Sequence, residues 1–378
     1  MVCHTTNASV TDRNRVIAVS RLPFNILLVC LLLVGIVGNS IAIHVCHRKQ
    51  KRGNRFYILL LAVYDIIASV DTTISVLILN SYSVSFPSDV LCKVMTYFMW
   101  TTPSSSALMV LIIALQRFLL VFKPTKRYFD PRHHRIIVVL VVTFVPMVIA
   151  VPMCVFSGTA AINVSLSDGS HLTTCSCEAK TGTFKESEES YIMFLFVLTL
   201  LLILTTTLLY APVGFVILKK YKNSGSSQNP PEFQSNSIDA VETLTSDITD
   251  VRTVMREERR GNRGRPNVTL NFHMMFGVIV MTYLLTYIPT FTMILVQRQK
   301  AGYWLDLSGG KLTIFLLLRR FHMVSNVVNP FVYGYFDITF RSYYAAVFRS
   351  LFCCRSSNKT NCLRDRRSEE TDTDNTYY

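Results

Sequence analysis

The chain has 378 residues, half of them hydrophobic, with a formal net charge of +14 and a mean hydropathy of +0.35. Its apolar residues fall in separated blocks of about 20, the helix length that crosses a bilayer core of ~30 Å. A soluble core would spread them at helical or strand period, so a soluble globular fold is excluded.

In chain order, residues 1–21 form an N-terminal segment carrying the glycosylation sequon Asn7-Ala8-Ser9. Spans are predicted at 22–46, 56–80, 91–122, 135–156, 191–218, 272–296 and 312–335, which makes an all-α membrane protein with a seven-transmembrane bundle over 22–335. The first block is longer than the apolar core of a signal peptide and contains Gly38-Asn39-Ser40, so it reads as a retained span. The connection after span one holds Arg48, Lys49, Lys51, Arg52 and Arg55, and the one after span three holds Lys123, Lys126, Arg127, Arg132 and Arg135. The one after span five begins with Lys219, Lys220 and Lys222 and ends with Arg256, Arg259, Arg260, Arg263 and Arg265. By contrast, 81–90 has no Lys or Arg, and the fourth connection sets Lys180 and Lys185 against Asp168, Glu178, Glu186, Glu188 and Glu189. The positive-inside rule then places the N-terminus outside and the C-terminus inside. Much of the positive charge is an orientation signal facing anionic inner-leaflet lipid, and no nucleic-acid partner is implied. The sequon Asn163-Val164-Ser165 falls outside with Asn7, whereas those at Asn267 and Asn358 fall inside and go unused.

Residues 221–265 contain Ser224-Gly225-Ser226-Ser227 and Pro230-Pro231 with too little apolar surface for a core, and read as a disordered cytoplasmic loop. Past the last span, Phe336, Phe340, Tyr344, Val347, Phe348 and Leu351 recur at helical spacing beside Arg341 and Arg349. That pattern predicts a short amphipathic helix over 336–352 lying on membrane lipid. Cys353-Cys354 is a candidate palmitoylation site, and the tail 353–378 carries Ser368, Thr371, Thr373 and Thr376 among acids, suited to receptor kinases and arrestin. Cys30, Cys46 and Cys154 lie within spans, where a thiol acts as a small hydrophobe. Cys3, Cys92, Cys175 and Cys177 lie outside, where disulfides form. Cys92 is expected to bridge Cys175 or Cys177, pinning the fourth connection over the bundle mouth and leaving the other thiol for Cys3. Zinc is disfavoured because Cys175-Ser176-Cys177 is too short a spacing and has no His pair.

The last span carries Asn329-Pro330-Phe331-Val332-Tyr333. A helix in lipid holding Asn, then Pro, then Tyr one turn on is costly, since Pro removes a donor and frees carbonyls that neighbours must satisfy. Upstream stand Gly38-Asn39 followed by Val45, Leu61-Ala62-Val63-Tyr64-Asp65, and Cys92 followed 25 residues later by Arg117 within Gln116-Arg117-Phe118. Thr286-Tyr287-Ile288-Pro289 and Phe340 complete the series. Over about residues 23–354 the chain resembles the rhodopsin-like (class A) G-protein-coupled receptors, as a divergent, neuropeptide-receptor-like member. Departures include the missing fourth-span Trp, Leu202 eight residues before the matching Tyr210 where a Pro is usual, Tyr287 and Tyr283 in the sixth span, and Ser325-Asn326 in inverted order.

The resemblance implies G-protein coupling and switching at Gln116, Arg117, Phe118, Tyr210, Tyr287, Pro289, Asn329, Pro330 and Tyr333. It also implies a sodium and water cluster of Asn39, Asp65, Ser106, Ser325, Asn326 and Asn329, with an allosteric sodium ion at Asp65 and no other cofactor. The alternative for Asp65 is a protonated acid satisfied by amides and hydroxyls. The alternative for Arg117 is snorkelling to headgroups. Gln116 and Thr269 stand where relatives carry acids, and offer Arg117 only neutral hydrogen bonds. Met99, Tyr287, Phe291, Arg319 and Met323 fall at the ligand pocket. Met99 replaces the Asp of amine receptors, 18 residues before Arg117, and Met323 replaces the retinal Lys of opsins, six before Asn329. A peptide ligand suits the long connection 157–190, with a lipid or small organic acid as the alternative. At 100° per residue Arg319 shares the inward face of Asn326 and Tyr333, and reaches either a ligand carboxylate or Asp71 of the second span.

A transporter or channel would show inverted repeats or half-helices around a midplane site, and no matching halves are seen. An intramembrane enzyme is disfavoured, since His-Glu-x-x-His, Gly-x-Ser-x-Gly and paired intramembrane Asp are missing from the sequence. The expected activity is therefore not enzymatic: a plasma-membrane receptor that biases a conformational equilibrium of a heterotrimeric G protein.

Overall fold

The computed structural model describes residues 8–48, 55–123, 132–165, 171–179, 185–226, 265–299, 307 and 309–353. Six apolar segments form single helices long enough to cross a bilayer. They are α2 (Leu22–Arg48), α3 (Phe56–Ser81), α4 (Asp89–Phe122), α5 (Arg132–Phe156), α6 (Lys185–Ser226) and α7 (Arg265–Gln299), preceded by a short α1 (Ala8–Ser20). The seventh crossing is made by two helices, α8 (Gly309–Arg319) and α9 (Met323–Phe336), and α10 (Ile338–Cys353) follows.

The helices pack as a closed ring, with α2 against α3, α3 against α4, α4 against α5 and α6, α6 against α7, α7 against α9, and α9 back against α2. The burial pattern is that of a protein dissolved in lipid. Asn39, Asp65, Thr206, Asn326 and Asn329 are buried, while Val37, Ile74, Val148, Leu208, Phe215 and Leu285 point outward. In hydrocarbon, polar side chains must find one another and apolar ones need not hide. The chain is a multi-pass membrane protein with a seven-helix bundle. Helices α2 and α9 touch at Gly38, where an added Cβ would lie 2.9 Å from the Pro330 ring.

The seventh span departs from the continuous helix expected over 312–335. Between α8 and α9 the backbone bonds are i→i+3: Arg320 N to Leu317 O at 3.1 Å, Phe321 N to Leu318 O at 3.2 Å, and Met323 N to Arg320 O at 3.0 Å. This is a 3₁₀-type turn, a common mark of a hinge within a helix. Side chains take over the backbone groups that the break releases. The Thr290 hydroxyl accepts from the His322 N–H at 3.0 Å, and the Ser325 hydroxyl donates to the His322 carbonyl at 2.6 Å.

Outside the spans, the connection between α5 and α6 forms an antiparallel hairpin of β1 (Ser157–Ser165) and β2 (His171–Ala179), in which Thr159, Ile162, Val164, Thr173 and Thr174 favour a pleated surface. The Asp89 carboxylate accepts from the Thr159 N–H at 2.9 Å, and Phe86 N–H donates to the Cys175 carbonyl at 2.7 Å, so the hairpin is tied to the start of α4. Helix α1, also not foreseen, is anchored by buried Ile17 and by Asn14, whose side chain accepts from the Val84 N–H at 2.9 Å. The fifth and sixth spans run beyond their expected limits. Helix α6 continues to Ser226, so the start of the loop taken as disordered is helical, and 227–264 lies outside the described residues. Lys219, Lys220 and Lys222 are good helix formers and carry the helix beyond the membrane segment that nucleated it.

Candidate functional site

The polar middle of the bundle centres on Asp65, which is fully buried. Its two carboxylate oxygens accept from Ser106 Oγ and Asn329 Nδ2, each at 2.6 Å. Asn39 Nδ2 donates to the Asn326 carbonyl at 2.9 Å, and Ser325 Oγ lies 3.3 Å from Asn326 Oδ1. The structure thus brings all six expected residues to one level, as an Asp65–Ser106–Asn329 group and an Asn39–Asn326–Ser325 group. Asn39 Oδ1 and Ser69 Oγ are buried oxygens with no hydrogen-bond partner. Ser69, one helical turn from Asp65, was missed by sequence reasoning. Its i,i+4 spacing was the available signal.

Toward the α10 end, Arg117 is buried and its guanidinium lies 4.1 Å from the centre of the Phe276 ring of α7. The adjacent Gln116 is buried, with its side-chain oxygen lacking a hydrogen-bond partner. Gln116 was expected to offer Arg117 no more than a neutral hydrogen bond, and its oxygen takes none; the guanidinium lies instead against an aromatic face of α7, and the Thr269 side chain lies outside the described residues. Tyr210 of α6 and Tyr57 of α3 share the electrostatic surroundings of Arg117. Tyr210 packs so closely on α7 that a Cβ at Gly277 would meet its ring at 3.1 Å. Phe118 is half-buried against the same core. Tyr333 is fully buried, 5.3 Å from Phe340 of α10, and the Tyr344 hydroxyl donates to the Pro330 carbonyl at 3.1 Å. The Arg55–Asp337 ion pair at 3.2 Å ties the α3 entry to the α9–α10 joint.

At the hairpin end, Cys92 bonds Cys177 with Cα atoms 5.5 Å apart, which decides between the two candidates. Cys175 is disulfide-bonded as well, to a partner outside the described residues, where Cys3 also lies. Below the hairpin, Tyr287 donates to the Pro103 carbonyl at 3.2 Å and stacks between Tyr283 (4.3 Å) and Phe291 (6.3 Å). Pro289 lies two residues on, inside α7. Met323 is buried in an apolar cluster with Phe24, Leu28, Val76, Phe315 and Leu316, and Met99 packs against it. Arg319 feels the charge of Arg21, whose guanidinium donates to Asn80 at 3.0 Å and Ser83 at 2.8 Å. Asp71, whose carboxylate accepts from Thr102 at 2.8 Å, shares its electrostatic surroundings with Arg320. The proposed Arg319–Asp71 pair is corrected on that point: the neighbouring Arg320 is the cation that acts on Asp71.

The sequence profile described as 7 transmembrane receptor (rhodopsin family) matches residues 38–333, well over half of the chain. The chain belongs to that family. A search of curated proteins finds no match to this receptor. The sequon at Asn163 lies in β1, where its backbone pairs with Thr173. Cys353 ends α10. Asn7, Cys354 and the tail hydroxyls lie outside the described residues.

Proposed function

We propose that this receptor lies in the plasma membrane with its N-terminus outside, binds an extracellular peptide near Met99, Tyr287, Phe291, Arg319 and Met323, and activates heterotrimeric G proteins. The observation that carries the reading is the placement of Arg117 on Phe276 at one end of the bundle and of the disulfide-tied hairpin at the other. Between them lie the Asp65 cluster and the Asn329-Pro330 segment. A ligand that favours one arrangement of α7 and α9 shifts the population at the Arg117 end. The hairpin offers an extended edge and rim suited to a peptide. The guanidiniums of Arg319 and Arg320 support a second reading, a small organic acid or lipid. Glycosylation at Asn7 and Asn163, palmitoylation at Cys353 and Cys354, and capture of the phosphorylated tail by arrestin complete the proposal. Screening a neuropeptide library on cells expressing the receptor, with calcium and cyclic-AMP readouts, tests the peptide reading. Responses to organic acids alone would replace it by the second.

Two further results are expected. Arg117 over Phe276 is a desolvated cation–π contact worth about 1–2 kcal/mol, holding α7 against α4. Phe276→Ala is expected to raise ligand-free signalling roughly fivefold, as loss of about 1 kcal/mol does to a minor population. Gln116→Glu should lower it by supplying a charged acceptor. Equal ligand-free signals in all three proteins at matched surface expression would rule out this lock.

The second result concerns sodium at Asp65. The residues fit such an ion: one carboxylate, the Ser106 hydroxyl, and the unpartnered oxygens of Asn39 and Ser69 are hard donors in a buried site. The purified receptor is expected to unfold at a higher temperature in sodium chloride than in N-methylglucamine chloride. An ion at ten times its Kd contributes about 1.4 kcal/mol. Asp65→Asn should abolish the difference, and a wild-type receptor indifferent to the cation would refute the site.

A further inference from the structure

Helices α5 and α6 both pack on α4, and between their hairpin ends a cleft of about 540 Å³ opens. That size falls within the ~300–1,000 Å³ of small-ligand sites. Phe156, the last residue of α5, lines one side, and the first turns of α6 supply Glu186, Ser187, Ser190, Tyr191 and Phe194. The Tyr191 ring lies 5.7 Å from that of Phe156 and 5.7 Å from that of Phe194, so three aromatic rings follow one another across the seam. The Tyr191 hydroxyl donates to the Ile149 carbonyl of α5, which holds its ring in place. Phe156 and Tyr191 are half-buried. Glu186, on the same cleft, is exposed and forms no ion pair among the described residues. On the adjoining surface Val155, Met193 and Val197 are exposed, as lipid-facing side chains are throughout this bundle.

We propose that this cleft binds the quaternary ammonium headgroup of a choline phospholipid. A trimethylammonium ion has a fixed positive charge, an apolar surface and no N–H to donate. Aromatic faces within ~6 Å attract such an ion without hydrogen bonds. The Glu186 carboxylate adds the counter-charge, and its attraction is stronger at the edge of lipid than in bulk water because the local dielectric is lower. The hydroxyls of Ser187 and Ser190 are donors for the phosphate of the same headgroup. A zwitterionic lipid therefore meets a partner for each of its charges. The seam between two spans, flanked by lipid-facing Val155, Met193 and Val197, selects a membrane lipid over a cation from solution. A bound headgroup would also join Phe156 of α5 to Glu186 of α6, a seam that the Tyr191 hydrogen bond already crosses. None of these residues belongs to the proposed ligand pocket, so the site does not rest on the peptide reading.

The test titrates the purified full-length receptor in detergent with lipid and counts retained molecules by native mass spectrometry. Dioleoylphosphatidylcholine is one probe. The other is its 3,3-dimethylbutyl analogue, in which carbon replaces the charged nitrogen at the same shape. Glu186→Gln and Tyr191→Leu are each expected to weaken retention of phosphatidylcholine at least roughly fivefold, the loss of one charge or cation–π contact. Retention of the analogue should be the same in wild type and both variants. Glu186 is exposed, so Glu186→Gln should unfold at the wild-type temperature without lipid, which separates loss of the site from loss of the fold. Unchanged retention of phosphatidylcholine in either variant would overturn the site. So would an equal fall in retention of the analogue, since an aromatic belt at the membrane surface does not read the headgroup charge. Displacement of the lipid by an equal concentration of choline chloride would assign the cleft to a soluble cation and overturn the lipid reading.

Discussion

Replacing either Cys92 or Cys177 with Ala is expected to abolish high-affinity ligand binding at the cell surface. The bond joins the first turn of α4 to β2 across a separation of 85 residues, and polar contacts of Thr159 with Asp89 and of Cys175 with Phe86 support the same placement of the hairpin. Loss of a native disulfide typically costs about 2–5 kcal/mol, and here much of that would appear as freedom of the segment over the pocket mouth. The two single variants and the double variant should behave alike, because each removes the same bond. Saturation binding on cells with matched surface expression measures the effect. Undiminished affinity in Cys177→Ala would show that the bridge has no part in binding.

Asp71→Asn is the second large effect, expected on stability. Asp71 is the acid opposite Arg320, which sits in the break of the seventh span. Neutralising it leaves a half-buried guanidinium in the bundle without its counter-charge, a loss of about 2 kcal/mol even for charges that do not touch. The Thr102 hydrogen bond can survive in Asn, so the charge itself is what the substitution tests. Asp71→Asn should lower the unfolding temperature and surface expression, and adding Arg320→Leu should recover much of both. An Asp71→Asn receptor as stable as wild type would remove Asp71 as the counter-charge.

Much of this was legible in the sequence for a physical reason: a bilayer fixes the length and polarity of each crossing. Six spans, the Asp65 cluster and the place of Arg117 follow from that constraint together with the motif spacing. The break at 320–322 was not legible. No Gly or Pro marks it, and hydropathy averages across it. Thr290 of another helix and the Ser325 back-bond hold it in place, contacts that no local sequence signal reports. Helix α1 was missed because its stability is tertiary, resting on Ile17 and Asn14 against the α3 end. The choice between Cys175 and Cys177 was undecidable because residues two apart in a strand share a face, and only the hairpin's position over α4 selects one for Cys92. The contact of Arg117 with Phe276 joins distant helices and leaves no local trace.

Ligand binding at the hairpin end is proposed to be read out at the Arg117 end by a G protein. Nucleotide exchange on purified heterotrimeric G protein, with the receptor in lipid vesicles and the activating ligand from the library screen, measures it directly. Ligand-dependent exchange is expected, abolished by Arg117→Ala while ligand still binds, with no solute or ion flux across the vesicle membrane. Ligand-dependent flux without exchange would contradict it.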